Sequence, residues 1–186
     1  GDWFNRATSI GETVIHQSGN ISRAPVGRFL DYGNIAAGGD LASLTSGADF
    51  GAGVRLWDNG IAVASAGGND FVVIAGGSNG ATTDTVFTAQ VTAGVPTTPT
   101  ATNSLPGLRR RCTLAAADDM IIMPGGSTAS SSGSGVDTVF IGTITNAGVV
   151  TWVTAPDPML QARSVGGAAI HTTAGLPSSV NDWNAY

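Results

Sequence analysis

Asp70-Phe71-Val72-Val73-Ile74-Ala75-Gly76-Gly77, followed by Asp84-Thr85-Val86-Phe87, is the stretch on which the fold turns. It recurs. Asp119-Met120-Ile121-Ile122-Met123-Pro124-Gly125-Gly126 begins 49 positions later, and Asp137-Thr138-Val139-Phe140 stands 53 after the first Asp-Thr-Val-Phe. A short, unbroken apolar run ended by glycines reads as a strand buried on both faces. The unit is a strand, a Gly-Gly pair, a polar loop and a second strand, and it is copied. Arg110 precedes Gly125 by 15 positions and Arg23 precedes Gly38 by the same 15. That spacing predicts a third, divergent copy ending in Ile35-Ala36-Ala37-Gly38-Gly39.

Outward from these copies, the chain divides into a lead-in over 1–20, repeats over 21–65, 66–117 and 118–172, and a tail over 173–186, all in one β domain. Thr13-Val14-Ile15-His16 is a short strand in the lead-in. Leu41 to Asp49 reads as a polar loop. Phe50 to Leu56 and Ile61 to Ala64 read as a hairpin around Trp57-Asp58-Asn59-Gly60, since Asn-Gly between apolar runs suits a type I′ turn. Residues 95–104, rich in Thr and Pro, suit an edge segment or loop. Ser127 to Gly135 suits an exposed, flexible loop. The first repeat is short: Gly38 to Gly76 is 38 residues against 49 from Gly76 to Gly125, so about one strand is expected to be missing before Asp70.

Composition limits the function classes. With 186 residues and 42% hydrophobic residues, the chain can fill a core. Only 11% of residues are charged, well below the usual quarter; there is no Lys, and the net charge is −5. Few charges with many Gly, Ser and Thr favour strands and turns over solvated helices. The acidic balance argues against nucleic acid, whose binders present a basic face. No run of 18 apolar residues exists, so no membrane span is expected. The sequence begins Gly1-Asp2 without Met, which suits either a removed leader or part of a longer chain. Cys112 is the only cysteine, so no intrachain disulfide can form. Asn20-Ile21-Ser22 is a glycosylation sequon.

The order of features resembles the kelch repeat: an apolar strand closed by Gly-Gly, a loop, a strand, a turn, a strand with Trp, a Pro/Leu stretch and an Arg that opens the next unit. The best copy carries this in Arg110, Ile121, Gly125, Gly126, Val139, Trp152 and Arg163. The second carries it in Gly76, Gly77 and Val86. The resemblance covers 21–172. It departs where the aromatic expected before Gly-Gly is missing from the third copy and shifted to Phe71 in the second, and where the fourth-strand Trp is absent from the second. The resemblance implies four-stranded blades of a β-propeller, each of about 50 residues. It also implies that the repeated Arg side chains pair with backbone carbonyls or an acid between blades. About three blades cannot close a ring that typically needs four to eight, so a partial propeller, or one completed by assembly, is expected.

Catalytic groupings are sparse. Gly76-Gly77-Ser78-Asn79-Gly80 has the spacing of a nucleophile elbow, but that motif requires a helix after the turn, where a loop and strand are expected here. His16 and His171 read as surface residues rather than ligands, since zinc needs three or four ligands at suitable spacing. Asp118 and Asp119 are adjacent on a strand and point to opposite faces; Asp119 repeats Asp70 and reads as a turn cap. Arg109 and Arg111 are the candidate binding residues, because guanidinium groups hold carboxylate or phosphate bidentately. Arg23, Arg110 and Arg163 recur and read as structural, with Gly38, Gly39, Gly76, Gly77, Gly125, Gly126 and Trp152. Trp57, Trp152 and Trp183 suit blade packing better than sugar stacking. No catalytic or metal residue and no cofactor is assigned.

These readings point to a non-enzymatic structural or binding module of an extracellular or virion assembly, such as a tail fibre or surface appendage. It would have protein partners and a glycan or host-surface receptor as candidate ligand. The resemblance allows two alternatives. One is a fragment of a kelch-type enzyme, galactose-oxidase-like or sialic-acid-processing, although Tyr32, Tyr186, the two His and Cys112 are scattered for a copper site. The other is an intracellular protein-interaction domain.

Overall fold

Strand β6 (Asn69–Ala75) lies at the centre of the molecule. Phe71, Val72, Val73, Ile74 and Ala75 are all buried, four of them completely. Alternate side chains of a strand point to opposite faces, so both faces of β6 must be covered. In this computed structural model, which describes residues 6–17, 29–41, 43–50, 56–129, 135–164, 168 and 170, they are covered by two flanking sheets.

The described residues form three antiparallel sheets. The first runs β1 (Arg6–Ile10), β2 (Thr13–Gln17), β3 (Phe29–Asn34) and β4 (Thr45–Asp49) in chain order. The second runs β5 (Gly60–Ala66), β6, β7 (Val86–Thr92) and β8 (Val95–Pro96), with β9 (Thr100–Ala101) also on β7. The third runs β10 (Ala115–Ala117), β11 (Met120–Pro124), β12 (Val139–Ile144) and β13 (Val150–Thr154). The chain is all-β, and these meanders are consistent with blade-like sheets; no closed ring is seen among the described residues.

Two cores separate the three sheets. Val72 and Ile74 face the first sheet and pack with Ile15, Leu30, Leu56 and Phe87. Phe71, Val73 and Ala75 face the third and pack with Ile121, Met123, Phe140 and Ile144. Burying a side chain of this size contributes about 1.5–3 kcal/mol. The flanking sheets bury one face at a time. In β2, Thr13, Ile15 and Gln17 are buried and alternate with half-buried residues. In β11, Ile121 and Met123 are buried and alternate likewise. The sequence contrast between β6 and β2 is thus the contrast between a sheet covered twice and a sheet covered once.

The second and third sheets each begin one strand earlier than the repeat bounds at 66 and 118 suggest. Gly60–Ala66, expected to close the first repeat, is hydrogen-bonded to β6, with Gly60 opposite Ala75. Asn59-Gly60 does not make the type I′ turn of the expected hairpin: positive φ falls on Asp58 (60°) instead, and the turn between β5 and β6 is made by Gly67 and Gly68. The partner run of that expected hairpin lies largely in 51–55, outside the described residues. No strand is missing from the first sheet, because Thr45–Asp49, expected as loop, is its fourth strand.

Gly38 and Gly39 sit in an exposed turn between Ala36 and Asp40, not at the end of a buried strand. The segment of the first sheet that matches β6 is β2, followed in sequence by Ser18-Gly19. Asp70 lies within β6, where its carboxylate accepts a hydrogen bond from the Ser65 hydroxyl (2.6 Å). Asp118 and Asp119 form the β10–β11 turn instead, with Asp118 at φ 49°. The two acids keep one register from their Gly-Gly pairs, Asp70 opposite Val91 and the Asp119 carbonyl accepting the Ile144 N–H, but the shorter β10–β11 hairpin puts Asp119 in the turn and Asp70 in the strand. Arg23, Asn20, His171, Trp183 and Tyr186 lie outside the described residues.

Candidate functional site

A strand that ends between two other sheets must turn where there is no room for side chains. Gly76 and Gly77 have φ of 68° and 102°, and Gly125 and Gly126 have 61° and 96°. A Cβ on Gly76 would lie 2.6 Å from the Arg109 carbonyl oxygen, and one on Gly77 would lie 2.7 Å from that of Trp57. Glycine is needed here for both the left-handed conformation and the close approach.

These turns build a repeated joint. The Gly77 N–H donates to the Arg109 carbonyl (2.6 Å), and the Gly126 N–H donates to that of Arg163 (2.8 Å). Arg109 N–H returns to the Thr83 carbonyl and Arg163 N–H to that of Val136, each at 3.1 Å. Arg109, rather than Arg110, is therefore the counterpart of Arg163. One residue further on, Arg110 exchanges two backbone hydrogen bonds with Ser127 (2.9 and 2.8 Å), as Trp57 does with Ser78 (3.1 and 2.8 Å). Each linking segment thus ties the glycine turn of one sheet to the serine after the glycine turn of the next.

The arginines have separate tasks. Arg110 donates from Nη2 (2.6 Å) and Nε (3.2 Å) to one oxygen of Asp58, which is 1% exposed. Arg111 Nε lies 3.8 Å from the same oxygen. Asp58 and Arg111 hold equivalent places in successive joints, both at positive φ, so the repeat sets opposite charges side by side. The Arg109 side chain is buried, with its guanidinium 4.2 Å over the Phe140 ring and Nη1 donating to the Leu108 carbonyl (2.8 Å). Burial pulls its pKa below the ordinary arginine value. Arg163 donates to Gln161 at the surface (2.7 Å). Arg109 and Arg111, the candidate binding residues, therefore both lie at the joint between the second and third sheets, each against its own partners.

Trp152 packs its indole over Gly142, where a Cβ would lie 2.8 Å from the ring, and borders the core shared with the second sheet. Ser78 is buried, and a bend and β7 follow it rather than a helix. Ser127 is also fully buried, against the expectation of an exposed loop, because Arg110 bridges it. His16 lies 3.9 Å from Asp31 on the outer face of the first sheet. Among the described residues no group of three or more His, Cys, Asp or Glu could hold a metal ion.

Two cavities accompany this framework. One, of about 460 Å³, is lined by the matching stretches 6–9, 60–63 and 113–116 from β1, β5 and the run into β10, and by Ala168 and Ile170. Counted from Arg109 and Arg163, Ala168 and Ile170 correspond to Leu114 and Ala116. The first strands of successive sheets therefore surround one shared space. The second, of about 550 Å³, lies between β7, β9 and the β12–β13 turn. Sequence reading missed it because its walls come from separate strands, loops and a turn with no motif in common. No described helix is long and apolar enough to cross a membrane. No protein-family model matches the chain, and no curated protein matches it either.

Proposed function

We propose that this chain is a non-enzymatic structural and binding module: successive blades of a kelch-like propeller that are completed by further sheets in a larger assembly. The third joint, of which one half lies among the described residues, carries this reading. Arg163 already receives the Gly126 N–H, as Arg109 receives that of Gly77. No described residue plays to Ser164 the part that Ser127 plays to Arg110. The radial placement of β1, β5, β10, Ala168 and Ile170 around one cavity also supports it, because blades share an axis formed by their first strands. So does the outer face of the third sheet, where Ile122, Ile141 and Val153 share a row and Val153 is 56% exposed.

Placement on a virion or cell surface belongs to the same proposal and rests on composition: no Lys, few charges, and many Gly, Ser and Thr. Size-exclusion chromatography with light scattering tests the assembly. A species heavier than the 18.6 kDa chain is expected. A stable 18.6 kDa monomer at high concentration overturns it.

A further inference from the structure

The cavity beside β7 joins an uncharged polar wall to a smaller apolar one made by Phe71, Ala101, Ala147 and Val149. Thr88, Gln90, Thr97, Thr100, Thr102 and Asn103 line it, and no charged side chain does. We propose that this cleft binds a neutral polyhydroxylated ligand, a sugar of one or two rings. The inference rests on the binding-module reading but not on assembly, so the two can fail separately.

The cleft is built from fixed parts. Thr102 Oγ1 accepts the Val150 N–H (3.0 Å), and Asn103 Nδ2 donates to the Val150 carbonyl (3.0 Å). The Thr88 hydroxyl donates to the Gly148 carbonyl (2.9 Å). Gln90 Nε2 is spent on Asn69 (3.2 Å), and Asn69 donates to the Asn146 carbonyl (3.2 Å). These bonds lock the β12–β13 turn against the second sheet. They leave the Thr97 and Thr100 hydroxyls and the Gln90 and Asn103 amide oxygens without a hydrogen-bond partner among the described residues. Free hydroxyls donate and accept, while amide oxygens accept. A ligand that answers this set carries several hydroxyl groups.

The same surface selects against other ligands. An ion gains no counter-charge here, and the net charge of −5 disfavours anions. A flat apolar ligand has no exposed ring to rest on. Phe71 lies under Gly148, whose Cβ would come within 2.9 Å of that ring. A volume of about 550 Å³ is in the range of small-ligand sites.

Saturation-transfer NMR against glucose, galactose, mannose, N-acetylglucosamine, lactose and sialic acid tests the proposal. At least one neutral sugar should show transfer and sialic acid none. Asn103→Ala and Thr100→Ala should each weaken binding of that sugar about fivefold, the loss of one hydrogen bond. Thr151→Ala, on the outer face of the third sheet, should leave it unchanged. Chemical-shift spectra of each variant confirm folding, and Thr100→Ser, which keeps the hydroxyl, should restore binding. No transfer from any neutral sugar, transfer from sialic acid alone, or binding unaltered in both alanine variants overturns the proposal.

Discussion

The joint between the first and second sheets and the joint between the second and third occupy equivalent places and use different chemistry. In the first, Asn59 is fully buried and donates to Gln17 Oε1, while Gln17 Nε2 donates to the Leu56 carbonyl (3.2 Å). Arg6 Nε adds a bond to the Asn59 carbonyl (3.0 Å). In the second, Cys112 takes the place of Asn59, 3.5 Å from the Ala75 carbonyl, and Ala75 takes the place of Gln17. The amide pair is gone, and the Asp58–Arg110 ion pair lies there instead. The backbone joint is thus constant and its filling is free. What repeats is the pattern of main-chain bonds around glycine turns; what varies is how each gap is closed.

The ion pair gives the strongest way to break that contrast. Asp58→Asn keeps a residue that tolerates positive φ but removes the charge facing Arg110 and Arg111. Losing one partner of a buried pair costs about 3–5 kcal/mol; since Arg110 remains 12% exposed, a loss of about 3 kcal/mol is expected. Asn59→Ala, in the other joint, removes a neutral partner and should cost about 1–3 kcal/mol. Urea denaturation of both variants measures the difference. Equal costs would erase the distinction between the joints.

The glycines come next. Gly77→Ala should cost more than Gly126→Ala, and both more than Gly39→Ala. All three have positive φ. A Cβ on Gly77 meets Trp57 O at 2.7 Å and Asn59 Cβ at 2.9 Å, while one on Gly126 meets its neighbours at 3.2 Å and one on Gly39 meets nothing within 4 Å. Costs of about 3, 2 and 1 kcal/mol are expected from strain plus crowding. A reversed order in thermal unfolding would show that the turns are not held against their neighbouring segments.

The last effect is one of pH. Burial pushes the Cys112 thiol up from 9.0 to about 12. The unfolded thiol ionises near 9 while the folded one stays neutral, so the unfolded state binds fewer protons between those values. Stability contributed by this group is full below pH 9 and falls by about 1.4 kcal/mol per pH unit as pH rises toward 12. No lysine titrates in that window. Wild type minus Cys112→Ala, followed by urea denaturation from pH 8 to 11, isolates the slope. Asn59 at the equivalent place does not ionise, so the first joint has no such slope.

Sequence made the centre of this molecule legible and its edges much less so. The apolar run of β6 and the recurring Gly-Gly pair announce a strand covered on both sides, because burial on two faces removes the polar alternation. The first sheet was obscured for the same reason in reverse. β2 is covered once, carries His16 and Gln17, and is followed by Ser18-Gly19 rather than Gly-Gly, so Gly38-Gly39 drew the alignment to an ordinary turn. β4 reads Thr-Ser-Gly-Ala-Asp, a polar run that is a strand only because β3 offers it a ladder. The counterpart of Arg163 was displaced by one position because three arginines stand together and only the backbone bonds distinguish them. The hydroxyl-lined cleft left no trace in spacing, since its residues meet across two sheets.

Native-state hydrogen exchange read at Gly77, Ser78, Gly126 and Ser127 addresses the joints most directly. If linking segments tie successive sheets, these four amides exchange as slowly as those of Val72 and Val73 in β6. Exchange at the rate of Gly39, in the open turn, would mean that the sheets merely lie side by side and that the repeated joint does not hold them.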